Sequence, residues 1–153
     1  MTATPAIPAP PLRLALPAGA LEREAMAAAV EALAPLMGNA AGPDSALFVV
    51  SDNAGRASAL RFWADARRSG VGLANPELFP WCLANSPGAA LSRHFGLAGP
   101  NATWLDGPGG LPHAWQAAHD AVREGRAARV FVVALHLGQD GSPGRLEAWL
   151  VPA

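Results

Sequence analysis

The chain has 153 residues, which is enough for one domain with a substantial hydrophobic core. A formal net charge of −1 and the lack of a basic stripe argue against nucleic-acid binding. One cysteine, Cys82, cannot form a disulfide framework within the chain, and the longest apolar runs fall well short of the roughly 20 residues that a membrane span needs.

The N-terminal stretch, residues 1–11, is rich in proline and alanine. It lacks the positively charged start and the apolar core of a signal peptide. We therefore expect a flexible leader over residues 1–11, a single domain over residues 12–153 and a cytoplasmic protein.

Hydrophobic patterning in the rest of the chain alternates between buried strands and amphipathic helices. Strands are predicted at residues 12–16, 46–51, 102–105, 130–135 and 145–151. Helices are predicted at residues 20–36, 54–69, 86–95 and 111–124. This order predicts an α/β fold with a mainly parallel five-stranded sheet between two layers of helices. The last strand is expected to be antiparallel because its connection is short.

Two of the predicted helices are preceded by residues that can cap them, and one of the two is rich in arginine. Asp52 or Asn53 is expected to cap the helix at 54–69, and Asp106 the helix at 111–124. The first of these helices also carries four arginines, which are most simply a solvated face. The alternative is a docking patch for an acidic partner, such as an acyl carrier protein. The four are Arg56, Arg61, Arg67 and Arg68.

A tight turn at residues 106–110, Asp-Gly-Pro-Gly-Gly, joins the strand at 102–105 to the helix at 111–124. A strand, a sharp turn and a helix together lift one residue clear of a sheet and direct a helix N-terminus at it. Enzymes often place a nucleophile at such a turn. This turn contains neither serine nor cysteine.

With these residues, the chain resembles the N-terminal half of a β-ketoacyl synthase, a member of the thiolase superfamily. The resemblance rests on the strand and glycine turn at 47–55, the Pro/Phe loop at 75–79 and the Gly-Leu-Ala-Gly-Pro signature at 96–100. The spacing from this signature to the turn, and from the turn to Gly125, fits the family without a gap.

The turn departs from that family in one respect. Pro108 stands where active ketosynthases carry the acyl-accepting cysteine, and proline has neither a thiol nor an N–H. The family's paired histidines for malonyl decarboxylation belong to a C-terminal half that this chain does not contain. The resemblance therefore implies a degenerate turn at Gly107, Pro108 and Gly109, no catalytic residue, and no condensation of acyl groups by this chain alone.

Within the family, chain-length factors also lack the cysteine and pair with an active ketosynthase. The resemblance therefore implies a non-catalytic accessory subunit of type II polyketide, aryl-polyene or fatty-acid-like biosynthesis, without a cofactor. Its expected partners are a ketosynthase and/or an acyl carrier protein. The alternatives are a small acyl- or CoA-binding enzyme that reuses the half-fold, and a homodimeric structural or regulatory module with no ligand.

The family resemblance also implies a sheet order of 3-2-1-4-5, with the third strand at an edge. In the family this strand pairs across a dimer axis. A homodimer or heterodimer is therefore expected, with its interface at Ala102, Thr103, Trp104 and Leu105.

The histidines give weaker signals. His136 ends the fourth predicted strand, where sheet edges often hold ligands, although a hydrogen-bonded structural role is the simpler interpretation. His113 is a second candidate at this ligand edge, close to the turn. His113 and His119 are six residues apart and do not share a helix face, so no metal pair is expected there.

Overall fold

The computed structural model describes residues 5–139 and 141–153. Its strands are β1 Leu12–Leu16, β2 Ser45–Ser51, β3 Asn101–Trp104, β4 Arg129–His136 and β5 Gly144–Val151. Its α-helices are α1 Glu22–Met37, α2 Arg56–Ser69, α3 Ser86–Phe95 and α4 Gly107–Arg123. Two 3₁₀ helices, Val71–Leu73 and Pro76–Cys82, occupy the connection between α2 and α3. None of the helices in this part of the chain has the length and hydropathy needed to cross a bilayer.

The five strands form one sheet in the order β1-β5-β4-β2-β3. β2 is parallel to both β3 and β4, whereas β5 is antiparallel to both β4 and β1. The sheet is therefore mixed rather than mainly parallel, and the predicted order 3-2-1-4-5 is wrong. β3 lies at an edge, as expected for the third strand.

The sequence of β1 explains why it lies at the outer edge. A parallel strand between two others, with helices on both faces, is apolar along its whole length. β1 instead alternates, and its exposed Arg13 lies 3.2 Å from Glu147 on β5. β4 is apolar from Val130 to Leu135 and occupies the place beside β2 that was predicted for β1.

Helices cover the sheet on both faces. On one face, α1 and α3 pack against Leu47, Val49 and Phe131 of the sheet. On the other, α4 packs against a second cluster of sheet residues that includes Phe48 and Trp149. This second layer also includes the segment before β1, because the indole N–H of Trp149 donates to the carbonyl oxygen of Pro8 at 2.9 Å.

Two glycines of the Gly-Leu-Ala-Gly-Pro signature have separate structural roles. Gly96 follows α3 with a φ of +66°, which is the left-handed conformation that ends a helix. Gly99 donates its N–H to the carbonyl oxygen of Ser45 at 3.0 Å. A Cβ at Gly99 would lie 2.7 Å from the same oxygen, so only glycine allows this approach to the start of β2.

Candidate functional site

The predicted turn at residues 106–110 forms the start of α4, which begins at Gly107 and not at residue 111. Pro108 is the second residue of this helix, where a missing N–H removes no intrahelical hydrogen bond. Gly110 packs closely on the sheet, since a Cβ there would lie 3.0 Å from Cγ1 of Val50. The glycines therefore allow the first turn of α4 to lie directly against β2.

Asp106 and His113 lie on the solvent side of this helix start. Asp106 occupies the N-cap position, but its side chain makes no capping hydrogen bond, so the predicted cap is wrong. His113 Nδ1 lies 3.9 Å from Asp106 Oδ2, and both side chains are largely exposed. His113 therefore faces solvent and does not line the cavity that begins at Gly107.

Asp52 and His136 meet at the carboxyl ends of two neighbouring strands. Asp52 directly follows β2, and His136 is the last residue of β4. Because these strands are parallel and in register, their ends lie at the same edge of the sheet. The Nδ1 atom of His136 lies 2.8 Å from Oδ1 and 3.0 Å from Oδ2 of Asp52.

This pair lines a cavity of about 170 Å³ between the sheet and the start of α4. Arg145 of β5, which is paired with His136 in the antiparallel ladder, also lines it. The remaining lining residues are Val50, Ser51, Gly107, Leu111, Ala134, Leu135 and Glu147. His136, which the sequence predicted at the ligand edge, and Gly107 at the start of α4 thus line the same cavity.

The cavity contains an oriented imidazole, but none of its lining residues is an activated nucleophile. A carboxylate at Nδ1 fixes the histidine ring and presents Nε2 to a ligand, which suits proton transfer or hydrogen bonding. Ser51 is buried, and its hydroxyl oxygen accepts hydrogen bonds from the N–H groups of Asn53 and Ala54 at 3.3 and 3.0 Å. That hydroxyl stabilises the turn after β2.

Cys82 lies outside this cavity. Its thiol is half-buried and donates to the carbonyl oxygen of Leu78 at 3.3 Å. Burial, and secondarily the negative charge of Glu22, raise the pKa of the Cys82 thiol. A raised pKa keeps the thiol protonated and poorly nucleophilic, in keeping with the inert role that its apolar neighbours suggest.

Asp52 is available to His136 because another carboxylate holds the start of α2. Glu22 of α1 is fully buried and accepts from the N–H groups of Ala57 and Ser58 at 3.1 and 2.9 Å. The Ser58 hydroxyl also donates to it. The prediction that Asp52 or Asn53 caps this helix is wrong, since Gly55 occupies the N-cap position. A capping group supplied by another helix leaves no local pattern in the sequence.

The exposed edge of the sheet is formed by β3. Trp104 packs edge-on against Phe48, with ring centroids 5.2 Å apart, and is only partly buried. Leu105 beyond the strand is 58% exposed. A shallow groove runs along the strand and includes Leu83, Thr103 and Leu105. Among the described residues, no strand pairs with the outer side of β3.

No group of three His, Cys, Asp or Glu side chains in the described ranges is placed to hold a metal ion. Asp52 and His136 form only a pair, and the other acidic residue of the cavity, Glu147, is ion-paired to Arg13. The cavity therefore offers hydrogen-bonding groups to a ligand.

No protein-family model matches the sequence, and no curated protein matches it significantly. Solved structures of similar fold include the ishigamide ketosynthase/chain length factor, at 15% identity and a TM-score of 0.57, covering 74% of this chain and 37% of that chain. Another is the complex of the ketosynthase ApeO with its chain length factor ApeC from Xenorhabdus doucetiae, at 14% identity and a TM-score of 0.65. That match covers 90% of this chain and 58% of the other.

The chain thus spans 37% and 58% of the lengths of these two proteins. At such low identity, the likeness concerns the fold and not the individual site residues. It agrees with the half-domain that the sequence resemblance implied, although the strand order differs from the expected one. This chain therefore has an α/β fold that it shares with part of the ketosynthase/chain length factor structures.

Proposed function

We propose that this chain is a non-catalytic, chain-length-factor-like subunit that binds a ketosynthase in type II polyketide, aryl-polyene or fatty-acid-like biosynthesis in the cytoplasm. The observation that carries the proposal is the start of α4, where Pro108 occupies the junction between β3 and its following helix. The fold shared with ketosynthase/chain length factor structures supports the proposal.

The chemistry at this junction favours a structural role over a catalytic one. A condensing enzyme needs a thiol there to carry the acyl group, and backbone N–H donors to stabilise the oxyanion. Gly107, Pro108 and Gly109 supply no thiol, and Pro108 also lacks the N–H. We therefore expect the chain to contribute to the complex through its shape and its binding surfaces.

The edge strand β3 is the surface that we assign to the ketosynthase. An edge strand leaves backbone N–H and C=O groups open to pairing with another chain. Leu83 and Leu105, at 54% and 58% exposure, add apolar side chains beside those groups. We expect Ala102, Thr103 and Trp104 to lie in the interface with the partner.

Co-purification with a ketosynthase of the same organism tests the proposal. We expect one complex containing both chains, measured by size-exclusion chromatography with light scattering. Leu105→Arg and Trp104→Glu should each abolish the complex. Leu73→Arg changes a leucine that is 78% exposed on another part of the surface, and should leave the complex intact. A monomeric chain that never binds the ketosynthase contradicts the proposal, and a homodimer alone favours the structural module.

The pairing of Asp52 with His136 favours a second candidate function, a small acyl- or CoA-binding enzyme. The oriented imidazole lines a cavity and, as a general base, can take a proton from a water molecule that attacks a bound thioester, which releases the free acid and the thiol. Hydrolysis of acyl-CoA or of acyl carrier substrates by the purified chain would support this candidate. His136→Ala should then abolish turnover, whereas His113→Ala should retain it, because His113 lies outside the cavity. An inactive wild-type chain excludes this candidate.

A further inference from the structure

The cavity between the sheet and the start of α4 is lined by one arginine, Arg145 of β5. Arg145 is exposed and is paired with His136 in the antiparallel ladder. Because strand side chains alternate between faces, Ala134 and Trp149, which belong to the cluster under α4, place His136 and Arg145 on that same face. Directly opposed residues of such a ladder have Cβ atoms about 4.5–5.5 Å apart. The guanidinium and the imidazole can therefore contact one small molecule together.

The charges of the cavity leave this arginine for a ligand. Of the two acidic residues in the lining, Asp52 contacts His136 at 2.8 Å, and Glu147 is ion-paired to Arg13 at 3.2 Å. None of the ion pairs found in the described part of the chain involves Arg145. Each carboxylate thus has a basic partner, and the guanidinium group can bind a carboxylate of another molecule in the bidentate geometry that arginine favours.

The imidazole of His136 offers a second contact of a different kind. Its Nδ1 atom faces the Asp52 carboxylate. An ionised carboxylate only accepts hydrogen bonds, so Nδ1 carries the N–H, and Nε2 of the neutral ring is a hydrogen-bond acceptor on the far side from Asp52. Such an acceptor selects a ligand group with an O–H or N–H, and it does not suit a second carboxylate.

The apolar part of the lining limits the size of the ligand. Val50, Leu111 and Ala134 belong to the cluster under α4 and line the cavity. Its volume of about 170 Å³ is close to the roughly 150 Å³ of an apolar cavity that binds benzene. A ligand of about six to eight non-hydrogen atoms, with a short carbon chain, therefore fits.

We infer that this cavity binds a short carboxylic acid that also carries a hydroxyl group. Arg145 holds the carboxylate, Nε2 of His136 accepts a hydrogen bond from the hydroxyl group, and the carbon chain lies against Val50 and Leu111. The function proposed above assigns no ligand to the subunit, so the inference goes beyond it. The cavity shares no lining residue with the groove along β3, so the ligand and a partner on β3 can be tested separately.

The test is an NMR titration of the full, isotope-labelled chain with compounds that differ in one group each. 3-Hydroxybutyrate carries both groups, butyrate lacks the hydroxyl group, and 2-butanol has a methyl group in place of the carboxylate. We expect saturable binding of 3-hydroxybutyrate with a Kd of about 1 mM or below, with shifts of the Gly107 and His136 amide signals. Butyrate should bind about 3- to 10-fold more weakly, and 2-butanol about tenfold or more weakly, because each lacks one of the two polar contacts.

Two substitutions in the cavity and one outside it identify the groups that bind. Arg145→Gln should weaken binding of 3-hydroxybutyrate by about tenfold or more, because the ligand carboxylate loses its charged partner. His136→Ala should remove the preference for 3-hydroxybutyrate over butyrate. Arg93→Gln is the matched control, since Arg93 is also exposed and in none of the ion pairs among the described residues, but lies on α3 at the other face of the sheet. It should change the affinity less than about twofold.

The opposite results each contradict a specific part of the inference. Absence of saturable 3-hydroxybutyrate binding by the wild-type chain up to about 50 mM overturns it, as does binding that Arg145→Gln does not weaken. Equal affinities for 3-hydroxybutyrate and butyrate overturn the contact of the hydroxyl group with His136. Tighter binding of inorganic phosphate assigns the cavity to a different class of anion and also overturns the inference. A ketosynthase complex without 3-hydroxybutyrate binding contradicts this inference alone, whereas ligand binding by a chain that never binds a ketosynthase contradicts the proposed function alone.

Discussion

Asn53 and Leu137 form a closed pair of hydrogen bonds that joins the loop after β2 to the end of β4. The Asn53 side-chain amide donates to the Leu137 carbonyl oxygen at 2.7 Å and accepts from the Leu137 N–H at 3.0 Å. Each residue lies directly beside one member of the Asp52–His136 pair. The buried amide therefore fixes the positions from which the carboxylate and the imidazole meet.

Replacement of Asn53 should destabilise the fold and separate this pair. Asn53→Ala removes both hydrogen bonds and leaves the N–H and C=O of Leu137 without their partner, so we expect the free energy of unfolding to fall by about 2–4 kcal/mol. Urea denaturation measures the change. Asn85→Ala is the matched control, because the exposed Asn85 makes no capping hydrogen bond, and its effect should stay within about 0.5 kcal/mol. Equal effects of the two substitutions would contradict the role of Asn53.

Glu22 should be essential for the position of α2. Glu22→Ala leaves the N–H groups of Ala57 and Ser58 buried without their acceptor, and we expect a loss of about 3 kcal/mol or more in the free energy of unfolding. Glu31→Ala, an exposed change on the same helix, should have little effect. Thermal unfolding followed by circular dichroism measures both. A wild-type melting temperature in Glu22→Ala would show that this buried carboxylate does not hold the helix.

Gly55 should tolerate no side chain, for two separable reasons. Its φ is +85°, and a Cβ there would lie 2.6 Å from the Cys82 carbonyl oxygen. Gly19 has a φ of +69° with open space around it, so Gly19→Ala measures the backbone cost alone, about 1 kcal/mol. We expect Gly55→Ala to cost about 1–3 kcal/mol more than that, because the loop around Cys82 must shift. Chemical denaturation of the two variants compares them, and equal losses would rule out the close contact.

Cys82 should react slowly with iodoacetamide until the solution is strongly alkaline. Burial, followed by the charge of Glu22, raises the pKa of the thiol above its ordinary value of 9.0. The folded chain therefore keeps a proton that the unfolded chain releases, so this contribution to stability is present below pH 9.0 and is lost as the pH rises through the folded pKa. Cys82→Ala should therefore reduce the loss of folding stability that occurs as the pH rises above 9.0. A rate of alkylation that levels off below pH 9.0 would contradict the prediction.

A thiol introduced at the start of α4 should behave in the opposite way. The variant Pro108→Cys places a thiol in the first turn of a 17-residue helix, where the helix dipole favours the thiolate. In this variant we expect one thiol to be alkylated near neutral pH, well before Cys82. Mass spectrometry of the digested protein identifies the labelled site. Preferential labelling of Cys82 instead would show that the helix start does not activate a thiol.

The strands and helices themselves follow from local patterns, whereas their arrangement in the sheet does not. The apolar runs of β2 and β4 identify two buried strands. The placement of β1 came from family resemblance. Arg13, the second residue of that strand, was the signal against a central position, because a guanidinium there would be buried beneath a helix.

The start of α4 was missed because glycine disfavours helix interiors and three glycines flank Pro108. Tertiary packing overrides that preference, since Gly110 fits closely against Val50. The pairing of Asp52 with His136 also depends on tertiary structure, because it needs β2 and β4 to be neighbours. The sequence did contain a signal for it, namely two ionisable residues that each lie at the end of an apolar strand.

The indole of Trp149 that reaches Pro8, together with the ladder between β1 and β5, brings the first and last strands of the domain to one border of the sheet. Leu12 is paired with Ala148, so the beginning of β1 lies close to the end of β5. Fluorescent labels or fused proteins attached before β1 or after β5 would lie at that border, which two strands, β4 and β2, separate from the opposite edge strand β3. A short peptide joining the two strands would permit circular permutation, with new ends cut elsewhere in the chain.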